Sequence, residues 1–150
     1  MKTQSGNDRR FVLDSTAFLT MFEDEQGADT VQELLERAKR EEIVAFVSFV
    51  TFTEILYITM RRKGEEEGLR RMALMESLPI TRIESSKELG LIAGRLKAST
   101  KISFADAWVA ATAIFYNAIL VHKDPEFDQL DETIKALKLP YKRKSGPLRR

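Results

Sequence analysis

The chain has 150 residues, of which 43% are hydrophobic and 31% charged, and its net charge is +1. This length fits one globular domain with a sizeable core, and no uncharged run reaches the ~20 residues of a membrane span. The absence of cysteine excludes disulfides and thiolate metal sites, and a single histidine excludes a multi-histidine zinc site. A charge near zero provides no overall field to attract nucleic acid. We expect a cytoplasmic protein.

The first part of the chain predicts one strand and two helices. Residues 1–9 are polar and predict a disordered head. The apolar run 11–13 predicts a buried strand. A short helix follows, with Ser15 or Thr16 as its cap. Apolar residues at helical spacing then predict a helix at 29–40.

The middle of the chain repeats this pattern with longer helices. Residues 43–47 predict a second strand, and the next helix ends near Lys63-Gly64. A helix at 65–77 is predicted to turn four apolar residues inward: Leu69, Met72, Ala73 and Met75. Pro79 ends that helix, and residues 80–83 predict a brief strand.

The last part of the chain contains the clearest strand. Ser85 or Ser86 is predicted to cap a helix, and Ser103 to cap another at 104–116. The alanines on one side of this second helix allow a close approach to a sheet. Residues 119–121 predict the strand, and a last helix is expected near 131–137.

Short strands that alternate with longer helices predict an α/β domain over 10–141, in which helices cover both faces of a mostly parallel sheet. In open parallel sheets, ligands bind beyond the carboxyl ends of the strands. Residues 142–150 form a basic tail with five cations and no acid. Such a tail either contacts phosphates or is a solvated end of the chain.

Four acidic residues lie in otherwise apolar segments: Asp14, Glu54, Asp106 and Asp124. A buried carboxylate is unfavourable unless a positive group meets it, and these segments offer no matching lysine or arginine inside the apolar runs. Hard divalent cations such as Mg²⁺ and Mn²⁺ bind oxygen ligands and act on phosphate esters. The pattern therefore predicts a metal-dependent nuclease.

Each acid also has a structural interpretation. Asp14 between a strand and a helix fits an N-cap, and Asp124 before Pro125 fits the start of a turn. Glu54 lies three residues after Thr51, which is the spacing of a capping box. Asp106 is harder to explain in this way, because its neighbours are apolar. Only the joint pattern of four acids at one end of the sheet favours a two-metal site over these interpretations.

Three further residues have open roles. Asp128 lies one helical turn after Asp124, and it either coordinates metal through water or faces solvent. Ser15 either hydrogen-bonds a carboxylate ligand or caps a helix. His122 either contacts a phosphate or belongs to the core.

Four segments carry a resemblance to a known family: Val12-Leu-Asp14-Ser15, Thr53-Glu54-Ile-Leu56, Phe104-Ala-Asp106-Ala-Trp-Val-Ala-Ala-Thr-Ala113 and Leu120-Val-His-Lys-Asp124-Pro-Glu-Phe127. In their order and spacing, residues 11–141 resemble PIN-domain ribonucleases, and within that family the VapC-type toxins. The alanine-rich third segment is the most specific of the four. One departure is His122, where the family commonly carries a small hydroxyl residue.

The resemblance implies a three-layer α/β/α fold and Mg²⁺- or Mn²⁺-dependent cleavage of single-stranded or structured RNA, with in-line attack by an activated water. It implies that Asp14, Glu54, Asp106 and Asp124 are metal ligands, with Asp128 as an accessory. It also implies a homodimer that a small cognate antitoxin inhibits. Two alternatives are a housekeeping PIN nuclease in RNA processing and a catalytically silent PIN scaffold.

Overall fold

The computed structural model describes residues 9–141, and it alternates strands and helices along most of this range. The predicted head and basic tail lie, apart from Arg9, outside the described residues. The strands are β1 (Arg10–Leu13), β2 (Val44–Ser48), β3 (Thr81–Ile83), β4 (Ile119–His122) and β5 (Ala136–Lys138). The helices are α1 (Ser15–Phe22), α2 (Ala28–Lys39), α3 (Phe49–Lys63), α4 (Glu65–Ser77), α5 (Lys87–Ser99) and α6 (Phe104–Phe115), with a 3₁₀ helix at Pro125–Leu130.

The five strands form one parallel sheet in the order β3-β2-β1-β4-β5. Side chains alternate between its two faces, because successive residues of a strand point in opposite directions. In β1, Val12 packs into the core under α5 and α6, whereas Phe11 and Leu13 pack into the core under the other helices. The predicted α/β/α architecture with a parallel sheet is confirmed. Within residues 9–141, no helix combines the length and apolar character needed to cross a bilayer.

The prediction of a helix at 131–137 is wrong. This part of the chain forms β5, an edge strand that pairs with β4 through Leu120 and Ala136. Ile134 and Leu137 have helical spacing, but Leu137 and Leu139 also have the two-residue spacing of a strand. The free edge of β4 decides between these two patterns, because it offers a row of hydrogen-bonding partners.

The predicted inner face of α4 is also partly wrong. Leu69 is 52% exposed and Ala73 is also exposed, whereas Gly68, Arg71 and Met75 are buried. A Cβ atom on Gly68 would lie 2.8 Å from Met60 Cγ, so glycine permits the close approach of α4 to α3. The helix turns an arginine inward because acidic partners meet it there.

The guanidinium of Arg71 connects three helical segments. It donates to Glu23 at the end of α1 at 2.7 Å, to Glu67 at 3.2 Å and to the hydroxyl of Thr59 at 3.4 Å. It also lies over the ring of Phe22 at 5.1 Å. The hydrogen bond from Arg71 lowers the pKa of Glu23.

We expect Arg71→Ala to destabilise the protein by about 3 kcal/mol, because it leaves the partners of a buried arginine unpaired. The neighbouring Arg70 is the matched control: its side chain is 59% exposed and pairs with Glu67 alone. Arg70→Ala should therefore cost less than about 1 kcal/mol. Urea denaturation measures both values. Equal losses in the two variants would contradict a structural role for the Arg71 contacts.

Local capping signals were predicted correctly for α5 and α6 and wrongly for α3. Ser86 and Ser103 accept the backbone N–H groups of Leu89 and Asp106, as N-cap residues do. The capping box from Thr51 to Glu54 is wrong, because α3 begins at Phe49 with Ser48 as its N-cap residue. Glu54 therefore lies inside the helix, where no orphan amide requires its carboxylate.

Candidate metal centre

The carboxyl edge of the sheet brings the four predicted acids together. Asp14 follows β1 directly, and Asp124 lies two residues after β4. Glu54 lies on α3, which continues from β2, and Asp106 lies in the first turn of α6. Because β1 is flanked by β2 and β4, all four positions converge on the same end of the central strand.

Their carboxylates form two overlapping groups. One oxygen from each of Asp14, Glu54 and Asp106 lies within 4.8 Å of the others, and the same holds for Asp106, Asp124 and Glu126. Asp106 belongs to both groups. Two adjacent oxygen-lined positions that share a carboxylate match the requirement of a pair of divalent cations.

Two buried oxygen atoms of the first group have no hydrogen-bond partner within the described residues: Asp14 Oδ1 and Glu54 Oε1. The other oxygen of Asp14 caps α1, since Oδ2 accepts the N–H of Thr16 at 3.1 Å and its hydroxyl at 2.6 Å. The N-cap interpretation of Asp14 is thus confirmed, and the prediction of a Ser15 or Thr16 cap is wrong. Unpaired buried carboxylate oxygens are unfavourable, and a cation would satisfy them. The donor set therefore fits Mg²⁺ or Mn²⁺.

The acids of the first group retain protons to unusually high pH. Burial raises the pKa of Asp14 to about 6, even though the bonds from Thr16 oppose the shift. Burial also raises the pKa of Glu54 to about 7, and the charge of Asp14 adds to the effect. Both shifts mean that the ionised cluster lacks a compensating positive charge.

Asp106 and Glu126 share a hydrogen bond, and their pKa values shift in opposite directions. Burial raises the pKa of Asp106 far above its ordinary value, and the hydrogen bond to Glu126 adds to this. The same bond lowers the pKa of Glu126. Of the two carboxyl groups, the more buried Asp106 therefore keeps its proton to the higher pH.

The side chain of Lys123 is directed away from these carboxylates. The ammonium of Lys123, next to Asp124 in sequence, contacts Glu25 at 3.2 Å and the carbonyl of Gln26 at 3.2 Å. Its backbone N–H donates to the hydroxyl of Thr16 at 2.8 Å, which connects the end of β4 to the residue that supports Asp14. Lys123 therefore does not serve as a counter-ion for the cluster, which leaves room for a cation.

Residues 11–133 match the sequence model of the PIN domain. The chain belongs to the PIN-domain family. Solved structures with this fold include VapBC2 from Rickettsia felis bound to a DNA fragment from its promoter, with a TM-score of 0.70 and 18% identity over 87% of this chain and 99% of that one. No curated protein matches the sequence significantly.

Two further structures share this fold. VapBC-1 from nontypeable Haemophilus influenzae has a TM-score of 0.66 and 18% identity over 86% of this chain and 97% of that one. VapC20 from Mycobacterium tuberculosis, described as a sarcin-ricin loop cleaving toxin, has a TM-score of 0.62 and 15% identity over 79% and 93%. The structural neighbours of this PIN domain are therefore VapC toxins, as the sequence resemblance predicted.

The PIN domain places Glu126, which sequence reasoning missed, in the cluster, and leaves Asp128 outside both groups. The carboxylate of Asp128 accepts the hydroxyl of Tyr141 at 2.6 Å and pairs with Lys138 at 3.0 Å. Glu126 also accepts the backbone N–H of Ser103 at 3.0 Å, which ties it to the start of α6. The available signal for Glu126 was its position two residues after Asp124, in a turn that begins with proline.

Ser15 and His122 each form a hydrogen bond with one of the acidic residues. The hydroxyl of Ser15 hydrogen-bonds the carboxylate of Glu54 and opposes the rise of its pKa. The ring of His122 is fully buried, so it presents no surface to a phosphate. Its Nδ1 accepts the backbone N–H of Asp124 at 3.0 Å, and its ring lies 4.9 Å from that of Phe127. His122 thus orients the turn that presents Asp124.

We expect His122→Leu to weaken Mn²⁺ binding by about tenfold, which is typical for the loss of a residue that orients a metal ligand. His122→Asn is the matched control, because its side-chain oxygen can accept the same N–H of Asp124. Calorimetric titration with Mn²⁺ measures both variants. The role of His122 is refuted if the leucine and asparagine variants bind the ion equally well.

Proposed function

We propose that this PIN domain is an endoribonuclease that cleaves RNA with Mg²⁺ or Mn²⁺, and that it is the toxin of a toxin–antitoxin pair. The observation that carries the proposal is the pair of carboxylate groups that share Asp106 at the carboxyl edge of the sheet. The fold similarity to VapC toxins supports it, because one of them is described as cleaving the sarcin-ricin loop.

The acidic residues of the cluster would bind two cations in two groups of three. Asp14, Glu54 and Asp106 would hold one, and Asp106, Asp124 and Glu126 the other. When bound, two such ions would supply the activation of the attacking water and would stabilise the oxygens on either side of the phosphorus. Ser15 and Thr16 fix the orientation of Glu54 and Asp14. No nucleophilic side chain is needed, in agreement with a chain that has no cysteine.

Cleavage of RNA by the purified protein tests the activity. We expect mixed-sequence single-stranded RNA to be cut with Mn²⁺ or Mg²⁺, to leave 5′-phosphate and 3′-hydroxyl ends, and to stay intact with a chelator. The DNA oligonucleotide of the same sequence is the control for substrate class. Absence of cutting of any cellular or synthetic RNA, or cutting that survives chelation, argues against the proposal.

The role as a toxin predicts a different result in cells. Induced expression of the protein should arrest bacterial growth, whereas the Asp106→Asn variant should not. We propose that a small antitoxin protein inserts a segment into the acidic cleft and that the toxin forms a homodimer in the cytoplasm. Several solved relatives are toxin–antitoxin complexes. RNA cleavage in vitro without growth arrest would favour a housekeeping nuclease instead.

A further inference from the structure

Phe104 is the most exposed of the large apolar side chains within residues 9–141. It is 69% exposed, although it lies in the first turn of α6 together with Asp106. Its ring meets that of Trp108 at 6.4 Å, and Trp108 in turn meets Phe49 edge-on at 5.2 Å. The three rings form an aromatic cluster at the start of α6, the helix that also carries Asp106. An exposed aromatic surface at such a place indicates a binding role.

A cavity of about 250 Å³ lies beside Phe104 between α5 and α6, and we call it the α5–α6 pocket. It is lined by Gly90, Ala93, Gly94, Lys97, Phe104, Ala107 and Trp108. Glycine weakens a helix interior, and neither Gly90 nor Gly94 has the positive φ that would require it. Apart from its own helix backbone and its two chain neighbours, no atom lies within 4 Å of the place where a Cβ atom of Gly94 would stand. What Gly94 provides is open space in the pocket.

Lys97 connects the α5–α6 pocket to the acidic cluster. Its ammonium donates to the carbonyl of Ile102 at 2.8 Å, in the loop that leads to Ser103 and α6. The next residue, Ser103, donates its backbone N–H to Glu126 of the acidic cluster at 3.0 Å. The pocket thus joins an apolar, aromatic wall to a cation at the edge of the proposed catalytic site. These are the features that bind a nucleotide through its base and its phosphate.

We propose that the α5–α6 pocket receives one base of the RNA strand that is cleaved at the metal centre. The base stacks on Phe104 and fills the space over Gly94, and Lys97 faces a neighbouring phosphate. This inference rests on the proposed ribonuclease function and adds a substrate-binding site to it. Because the pocket lining is largely apolar, it favours stacking over base-specific hydrogen bonds.

Gly94→Leu tests the pocket by filling it. Leucine favours a helix more than glycine does, so the variant should fold at least as well as the wild type. We expect its KM for a single-stranded RNA to rise about tenfold, which is the effect of losing one stacked base, with kcat nearly unchanged. Phe104→Ala should act in the same direction. Ala98→Leu, at an exposed position one turn further along α5, is the matched control and should keep the wild-type KM.

Substrate length provides a second criterion. An RNA too short to reach the pocket should be cut equally well by the wild type and Gly94→Leu. An unchanged KM for Gly94→Leu on long RNA overturns the inference while leaving the ribonuclease function intact. Loss of self-association in Gly94→Leu and Phe104→Ala, without a change in KM, also overturns it and assigns the face to a second copy of the chain. If the wild type cuts no RNA, the proposed function fails and the pocket assignment fails with it.

Discussion

Replacing Asp106 with asparagine is expected to reduce RNA cleavage at least about 100-fold. Mutation of a residue that only supports a metal ligand already lowers metal affinity or activity by about 10- to 100-fold. Asp106 should have a larger effect than any other acid of the cluster, since it alone belongs to both carboxylate groups. Initial rates on one RNA substrate with saturating Mn²⁺ measure the loss. Cleavage within a few-fold of the wild type would exclude the two-cation arrangement.

The same variant should be more stable than the wild type at neutral pH without metal. Burial raises the pKa of Asp106, so folding must keep this carboxyl protonated against the preference of the unfolded chain. Asparagine removes that cost and can still donate to Glu126. Urea denaturation in a chelator tests this expectation. A clearly less stable variant would mean that the loss of activity reflects misfolding.

Asp128→Asn is the matched control for both measurements. It changes the same functional group only four residues from Asp124, but Asp128 belongs to neither carboxylate group and instead holds Tyr141 and Lys138. We expect its cleavage rate to stay within a few-fold of the wild type. A large loss would restore the role as an accessory metal ligand that the sequence suggested for Asp128.

The second large effect concerns pH and metal together. Without metal, the free energy of unfolding should fall as the pH rises from about 4 to about 7. The pKa values of Asp14 and Glu54 rise on folding from 3.8 and 4.5 to about 6 and about 7. Between these limits the folded chain binds more protons than the unfolded chain, so each increase in pH favours unfolding. Asp14 alone contributes roughly 3 kcal/mol.

One buried group opposes this trend. Burial lowers the pKa of His122, so its contribution to stability rises with pH up to its ordinary value of 6.5. The His122→Asn variant removes this titration. Its free energy of unfolding should therefore fall more clearly as the pH rises. Chemical denaturation across the pH range in a chelator measures it. A stability that is constant or rises toward about pH 7 in this variant would contradict a cluster of uncompensated carboxylates.

Mn²⁺ or Mg²⁺ should restore the stability that the protein loses at high pH. Cations bind the assembled cluster and not the unfolded chain, and at a concentration 100 times the Kd they add about 2.7 kcal/mol. The increase in melting temperature should be large at about pH 8 and small at about pH 5, because protons occupy the carboxylates in acid. Asp106→Asn should show little increase at either pH. An equal increase at both pH values would indicate binding elsewhere on the surface.

The sequence predicted the strands and the acids at their ends because both depend on neighbouring residues. Strands β1 and β4 are short apolar runs, and a strand buried on both faces must be apolar in this way. Ser86 and Ser103 cap their helices because a side-chain oxygen near an orphan amide acts within one turn. The apolar neighbours of Asp106 revealed a carboxylate that helix capping does not explain.

Other features depended on contacts between distant parts of the chain. Arg71 is buried because Glu23 meets it from the end of α1, 48 residues away in sequence. The segment that became β5 fits two local patterns, and the open edge of β4 selected one of them. Asp128 and Glu126 are two residues apart, yet only Glu126 joins the cluster, because the 3₁₀ helix directs it toward Ser103.

The sequence by itself therefore determined the class of the fold, the positions of its clearest strands and the four acids that suggested a metal site. The tertiary structure alone decided which oxygens meet, since the order β3-β2-β1-β4-β5 sets the distances between segments far apart in the chain. The physical reason is the range of the interactions. Periodicity and capping act over one or two turns, whereas the approach of carboxylates depends on how the whole sheet is assembled.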